Sequence, residues 1–186
     1  MVLPARAKLL LIAGGFALPI AASFFAYFFL RPQPTANYGE LLLPAHAVTS
    51  QTFAQPDRGD WNFTAVEGSW ALVVSDSGTC PASCEEKLAT LRQVRLALGR
   101  NAGRVRRVYV VADIERPDAA RLAPFEGTVV VLTPTGLQVP PGAANDRAHI
   151  YLVDPHGNVV MRWPARPDAK RMLRDLDRLL KASQIG

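Results

Sequence analysis

The sequence predicts an α/β domain, a central mixed sheet flanked by helices, carried behind one N-terminal transmembrane helix. Three observations predict it: an uncharged apolar run from Leu9 to Leu30, two cysteines four positions apart at Cys80 and Cys84, and alternating strand-like and helix-like patterns from Trp70 onward. The 186 residues are 49% hydrophobic and 20% charged, which suits one globular domain with an extension and excludes a disordered chain.

The apolar run is the first element. It lies between Lys8 and Arg31, and its length matches the roughly 20 apolar residues that cross a bilayer core. A cleaved leader has an apolar part of about 7–15 residues ending in small residues. Here the run closes on Phe24-Phe25-Ala26-Tyr27-Phe28-Phe29-Leu30, with no such motif. The expected layout is a cytoplasmic start (1–8), a membrane anchor (9–30), a tether (31–44) and an exported domain (45–186). Arg6 and Lys8 favour a cytoplasmic N-terminus. Pro32, Pro34 and Pro44 stiffen the tether. A bacterial inner membrane with the domain in the periplasm is the expected location.

Export bears on the charges and the cysteines. The net charge of +5 would suit nucleic acid, but no nucleic-acid partner is expected outside the cytoplasm. Arg92, Arg95, Arg100, Arg104, Arg106 and Arg107 read as a solvated helix face and the loop after it, or as a docking surface for an acidic partner. In an oxidising compartment the two cysteines can form a disulfide.

Along the domain, residues 45–70 carry short alternating pieces broken by Pro56, Gly59 and Gly68, suited to a hairpin or irregular strands at a sheet edge. Trp70–Ser75 is an apolar run expected of a doubly buried strand. Cys84, Leu88, Leu91, Val94 and Leu98 fall at helical spacing, with Gly99 as the stop. Val105–Ala112 and Thr128–Leu132 are further strands, with a short helix at Asp118–Leu122 between them. Residues 133–147 form a loop rich in proline and glycine. His149–Val153 and Val159–Trp163 flank Asp154-Pro155-His156-Gly157-Asn158, a hairpin turn signal. Pro167–Lys181 closes the chain as an amphipathic helix carrying Ala169, Met172, Leu173, Leu176, Leu179 and Leu180, with Pro167 in its first turn. Strand, helix, strand, helix, hairpin and closing helix is the order of a thioredoxin-like fold.

The cysteines fall at the first strand-to-helix turn, Thr79-Cys80-Pro81-Ala82-Ser83-Cys84. Positions i and i+4 share a helix face, within reach of a disulfide or a shared metal. A helix N-terminus favours thiolate and so raises reactivity, and Glu85 and Glu86 work against it. A structural clip is the alternative, though so short a loop constrains little of the unfolded chain. Two thiolates also suit Cu(I), and an imidazole would help to hold Cu(II). Of three histidines, His156 sits in the hairpin turn and His46 in the irregular N-terminal part; His149, after the long loop, is the best-placed ligand.

With these residues in view the chain resembles the Sco/SenC family of membrane-anchored, thioredoxin-like copper chaperones, and is read as a divergent member. The resemblance rests on Thr79-Cys80-Pro81-x-x-Cys84 with Glu86-x-Leu88-x-x-Leu91, on Val110-Val111-Ala112-Asp113-Ile114-Glu115-Arg116-Pro117-Asp118, and on Tyr151-Leu152-Val153-Asp154-Pro155-x-Gly157. It implies copper handling or thiol–disulfide exchange in cytochrome c oxidase assembly. Cys80 and Cys84 would be the redox pair and sulfur ligands. The partners implied are the oxidase subunit carrying the dinuclear copper centre and periplasmic thiol reductants. The family's ligand histidine falls at Asp146 here, leaving His149 as the substitute, and Ala82 replaces an acidic residue. Two other readings are an inert thioredoxin-fold scaffold with a structural disulfide and a general periplasmic thiol–disulfide reductase. Ala148 stands where such reductases carry proline.

Overall fold

A computed structural model describes residues 4–29, 37–56, 58–139 and 147–183. The chain divides into two compact units, 1–36 and 37–186. Helix α1 (Ala5–Phe29) belongs to the first. Its stretch Arg6–Phe28 is long and apolar enough to cross a membrane, and none of it is buried by protein.

The second unit is built on an eight-stranded mixed sheet. Its strands are β1 (Glu40–Ala47), β2 (Phe53–Gln55), β3 (Gly59–Trp61), β4 (Trp70–Asp76), β5 (Val105–Val111), β6 (Thr128–Leu132), β7 (His149–Val153) and β8 (Asn158–Pro164). The spatial order is β1-β8-β7-β4-β5-β6-β2-β3. Strands β4, β5 and β6 are parallel; β7 runs antiparallel to β4, and β8 to β7. Every residue of β4 is buried, as its unbroken apolar run predicts for a central strand covered on both faces.

Alternation along the strands divides the core in two. Leu72, Val74, Tyr109, Ile150 and Leu152 face α2 (Ala82–Ala97) and α4 (Ala169–Ala182), which bury Leu88, Leu91, Val94, Met172, Leu176 and Leu180 against them. Ala71, Val73, Val108, Val110, Tyr151 and Val153 face the other way. There Phe53, Trp61 and Phe63 pack edge to face, with ring centroids 5.0–5.8 Å apart. The short helix α3 (Ala119–Leu122) is capped by the Asp118 side chain. Helix α2 ends at Leu98 and Gly99, whose φ of 55° favours glycine.

Several expectations need correction. The tether does not run to Pro44: Glu40–Ala47 is the edge strand β1, paired with β8. An edge strand can hold a proline because one row of its N–H groups faces away from the sheet, and the register shifts between Leu41 and His46. The join is anchored by Asp175, 2% exposed on α4, which accepts hydrogen bonds from the Tyr38 and Gly39 N–H groups and from Trp163 Nε1. Pro167 precedes α4, and Asp168 caps it by accepting from the N–H groups of Lys170 and Arg171. The arginine group is not one solvated face. Arg106 is exposed, Arg104 bonds the carbonyls of Leu180 and Ser183, and Arg107 is 5% exposed. In the long loop Leu137 and Val139 join the second core.

Candidate functional site

The two cysteines lie where β4 gives way to α2. Asp76 ends the strand, Ser77–Thr79 turn the chain, and Pro81 is the N-cap of α2. Cys80 and Cys84 are joined as a disulfide with their Cα atoms 5.1 Å apart. Cys80 is the one described non-glycine residue with positive φ, 41°, and it precedes a proline. That left-handed backbone costs of order 1 kcal/mol or more and persists only where its surroundings impose it.

The surroundings do impose it. Tyr109 Oη donates to the Ser77 carbonyl from below. The Gly78 N–H donates to Asp113 Oδ1 at 3.0 Å, and a Cβ on Gly78 would collide with the Glu115 carbonyl. Arg121 Nη1 donates to the Cys80 carbonyl at 3.2 Å and pairs with Glu85. Burial pushes the Asp113 carboxyl up, but hydrogen bonds from Ser77 and from the N–H groups of Gly78 and Glu115, with the Arg147 charge, outweigh it and hold the group below its usual value. Burial, then the Asp76 and Asp113 charges, push the Tyr109 phenol up, so it stays a donor.

Under the turn lies a pair that sequence reasoning missed. Lys87 Nζ sits 2.6 Å from Asp76 Oδ2, with side-chain exposures of 2% and 6%. Lys87 also donates to the carbonyls of Ser75 and Arg147, and Asp76 accepts from the Ser77 N–H. The ammonium therefore has three oxygen partners, the condition for keeping a buried charge. One signal was available: Lys87 falls on the apolar stripe, three residues after Cys84 and four before Leu91. The acidic neighbours Glu85 and Glu86 are neutralised by Arg121 and Arg166 on the surface.

Both cysteines are buried, Cys80 at 1% and Cys84 at 0% exposure, so an attacking thiolate reaches the disulfide only when the turn opens locally. Next to it Ile114, 90% exposed, stands on the segment that packs on Gly78. His149 begins β7 two residues before Tyr151. By alternation it shares the Tyr151 face, and its ring lies 6.1 Å from the Tyr151 ring, whereas the cysteines belong to the opposite core. Asp146 lies outside the described residues. Among the described residues no three histidine, cysteine or acidic side chains gather as metal ligands. His46 is exposed on β1, and His156 is exposed in the Asp154–Asn158 turn, where the Asp154 carboxylate accepts from both the His156 and Asn158 N–H groups.

A mixed sheet with a two-cysteine turn at the end of its central parallel strand defines a thioredoxin-fold protein. A family model for transmembrane-like, thioredoxin-like C-terminal domains matches residues 70–183, and the chain belongs to that family. No curated protein sequence matches the chain. Among solved structures it is similar to Sco1 from Thermus thermophilus, at 17% identity and TM-score 0.60 over 77% of this chain and 96% of that one. It is also similar to copper-bound ScoI from Bradyrhizobium japonicum, at 19% and 0.53 over 68% and 95%. A third is BsSco, a Sco-family cytochrome c oxidase assembly protein described with a disulfide switch, at 15% and 0.54 over 75% and 96%. Identities this low establish the shared thioredoxin-like fold.

Proposed function

We propose that the chain is a membrane-anchored, Sco-like thiol–disulfide protein that assists cytochrome c oxidase assembly, with its domain in the periplasm. The observation that carries this is the Cys80–Cys84 disulfide, held at a helix N-terminus on a left-handed Cys80 backbone that four separate contacts maintain. A purely structural clip has little use for such a turn, because the loop it closes is short. In the reaction, the dithiol form attacks a disulfide on the partner subunit. A mixed disulfide forms, the second cysteine displaces the partner sulfur, and two partner thiols leave as Cys80–Cys84 closes. Two electrons and two protons pass to the partner, and periplasmic thiol reductants restore the dithiol.

Copper enters as cargo. In the dithiol form two soft sulfur donors suit Cu(I), which accepts low coordination. The placement of His149 on the Tyr151 face gives less support to a third, imidazole ligand, so thiol exchange is the better supported half of the proposal. The exported location draws on Arg6 and Lys8 at the start of the apolar helix and on the disulfide.

The test uses the full chain in detergent micelles. Reduced protein is mixed with a soluble fragment of the oxidase subunit that bears the dinuclear copper site, its two cysteines oxidised. Alkylation and mass measurement should show one partner disulfide reduced per chain, and Cys84→Ser should trap a mixed disulfide through Cys80. A partner disulfide that dithiothreitol reduces and the chain does not would end the exchange reading. In parallel, the dithiol form should take up about one Cu(I), lost in C80S/C84S; equal uptake by that variant removes copper delivery.

A further inference from the structure

The face of the sheet beneath α2 carries a second charged site, at the end away from the disulfide. Arg107 pairs in register with Leu72 on β4 and shares the strand face of Val105 and Tyr109, so its side chain rises into the layer under α2. The residue is 5% exposed. Its Nη2 donates to the Glu126 carbonyl, while Nε and Nη1 are buried with no hydrogen-bond partner. Arg92 and Arg95, three residues apart on α2, line a cavity of about 420 Å³ together with Arg107, Pro124 and Glu126.

The charges in this cavity do not balance. Arg95 spends its Nε on the Val105 carbonyl at 2.8 Å, and Arg92 has no hydrogen-bond or ion-pair partner among the described residues. No described carboxylate lies within 4.0 Å of any of the three guanidiniums. Burial, and then the Arg95 and Arg92 charges, pull the Arg107 guanidinium below its ordinary pKa, the sign of a cation lacking a counter-charge. Against three guanidiniums the cavity offers one acidic side chain, Glu126, and so keeps an excess of two positive charges.

We propose that Arg92, Arg95 and Arg107 form a binding site for a phosphate monoester, with the anion supplying the counter-charge that the fold omits. A phosphate monoester carries close to two negative charges near neutral pH and presents three acceptor oxygens, matching the charge excess and the guanidinium forks. The cavity volume lies within the range of about 300–1,000 Å³ usual for small-ligand sites. The site is separate from the cysteines: Arg95 follows Cys84 by eleven residues on α2, about 16 Å along the helix axis.

The experiment titrates the full chain, in neutral detergent micelles at constant ionic strength, with inorganic phosphate, glycerol phosphate and acetate. Melting temperature and 31P line width are the readouts. Saturable binding of phosphate and glycerol phosphate, well above acetate, is expected. Arg92→Gln/Arg95→Gln, at exposed and half-buried helix positions that tolerate glutamine, should weaken it by about tenfold or more while thiol–disulfide exchange at Cys80–Cys84 is unchanged. Phosphate binding no stronger than acetate, or equal in the double variant, overturns the proposal.

Discussion

Beneath α2 the sheet buries charge at both ends, and the two ends treat it differently. At the cysteine end, Lys87 and Asp76 are 1% and 4% exposed, 2.6 Å apart, and further tied to the carbonyls of Ser75 and Arg147. At the other end, four residues or about 13 Å back along β4, Arg107 is nearly as buried, yet two of its three nitrogens have no partner. A buried charge is tolerated where its partners come with the fold, and an orphaned one marks a place where a partner comes from elsewhere. The first end is therefore a self-sufficient support for the disulfide turn. The second depends on a ligand.

Substitutions can break that contrast. Lys87→Met should have the largest effect, a loss of about 3–5 kcal/mol in urea unfolding, because it leaves the Asp76 carboxylate buried without its cation. Adding Asp76→Leu to Lys87→Met should recover part of this loss; no recovery would mean that the pair is not what the turn depends on. Arg107→Met should differ from the parent by about 1 kcal/mol or less in anion-free buffer, since it exchanges one hydrogen bond to Glu126 for relief of two orphaned nitrogens. A loss as large as that of Lys87→Met would erase the difference between the ends.

The smallest effect is on pH. Asp113 is held below its ordinary value of 3.8 in the folded protein. A depressed carboxyl contributes stability above its unfolded pKa and loses it as pH falls through the folded one, so its share is present at neutral pH and fades below about pH 4. Asp113→Asn should therefore narrow the stability difference between about pH 7 and about pH 3. An unchanged difference would remove Asp113 from the clamp on Gly78.

Much of the cysteine end was legible from the chain alone. The apolar run of β4, the helical stripe from Cys84 to Leu98 and the Asp154–Asn158 turn are local patterns, and local patterns survive reading without a structure. Arg107 was not legible as buried, and Lys87 only through its place on the apolar stripe of α2, because a charged residue in sequence looks solvated until its neighbours in space are known. The orientation of His149 was open for a similar reason: strand alternation gives two faces but not which one carries the cysteines. The early start of β1 escaped notice because Pro44 reads as a breaker, and only the vacant side of an edge strand makes room for it.

By itself, then, the sequence determined a helix long and apolar enough to cross a membrane, the order of strands and helices from Trp70 onward, and a two-cysteine turn at a helix start, all set by runs and spacings a few residues long. The tertiary structure decided which cations are buried, which of them are paired, and which histidine faces away from the sulfurs. Those outcomes depend on strands far apart in sequence lying about 5 Å apart in the sheet, and on charges that cannot leave water without a partner.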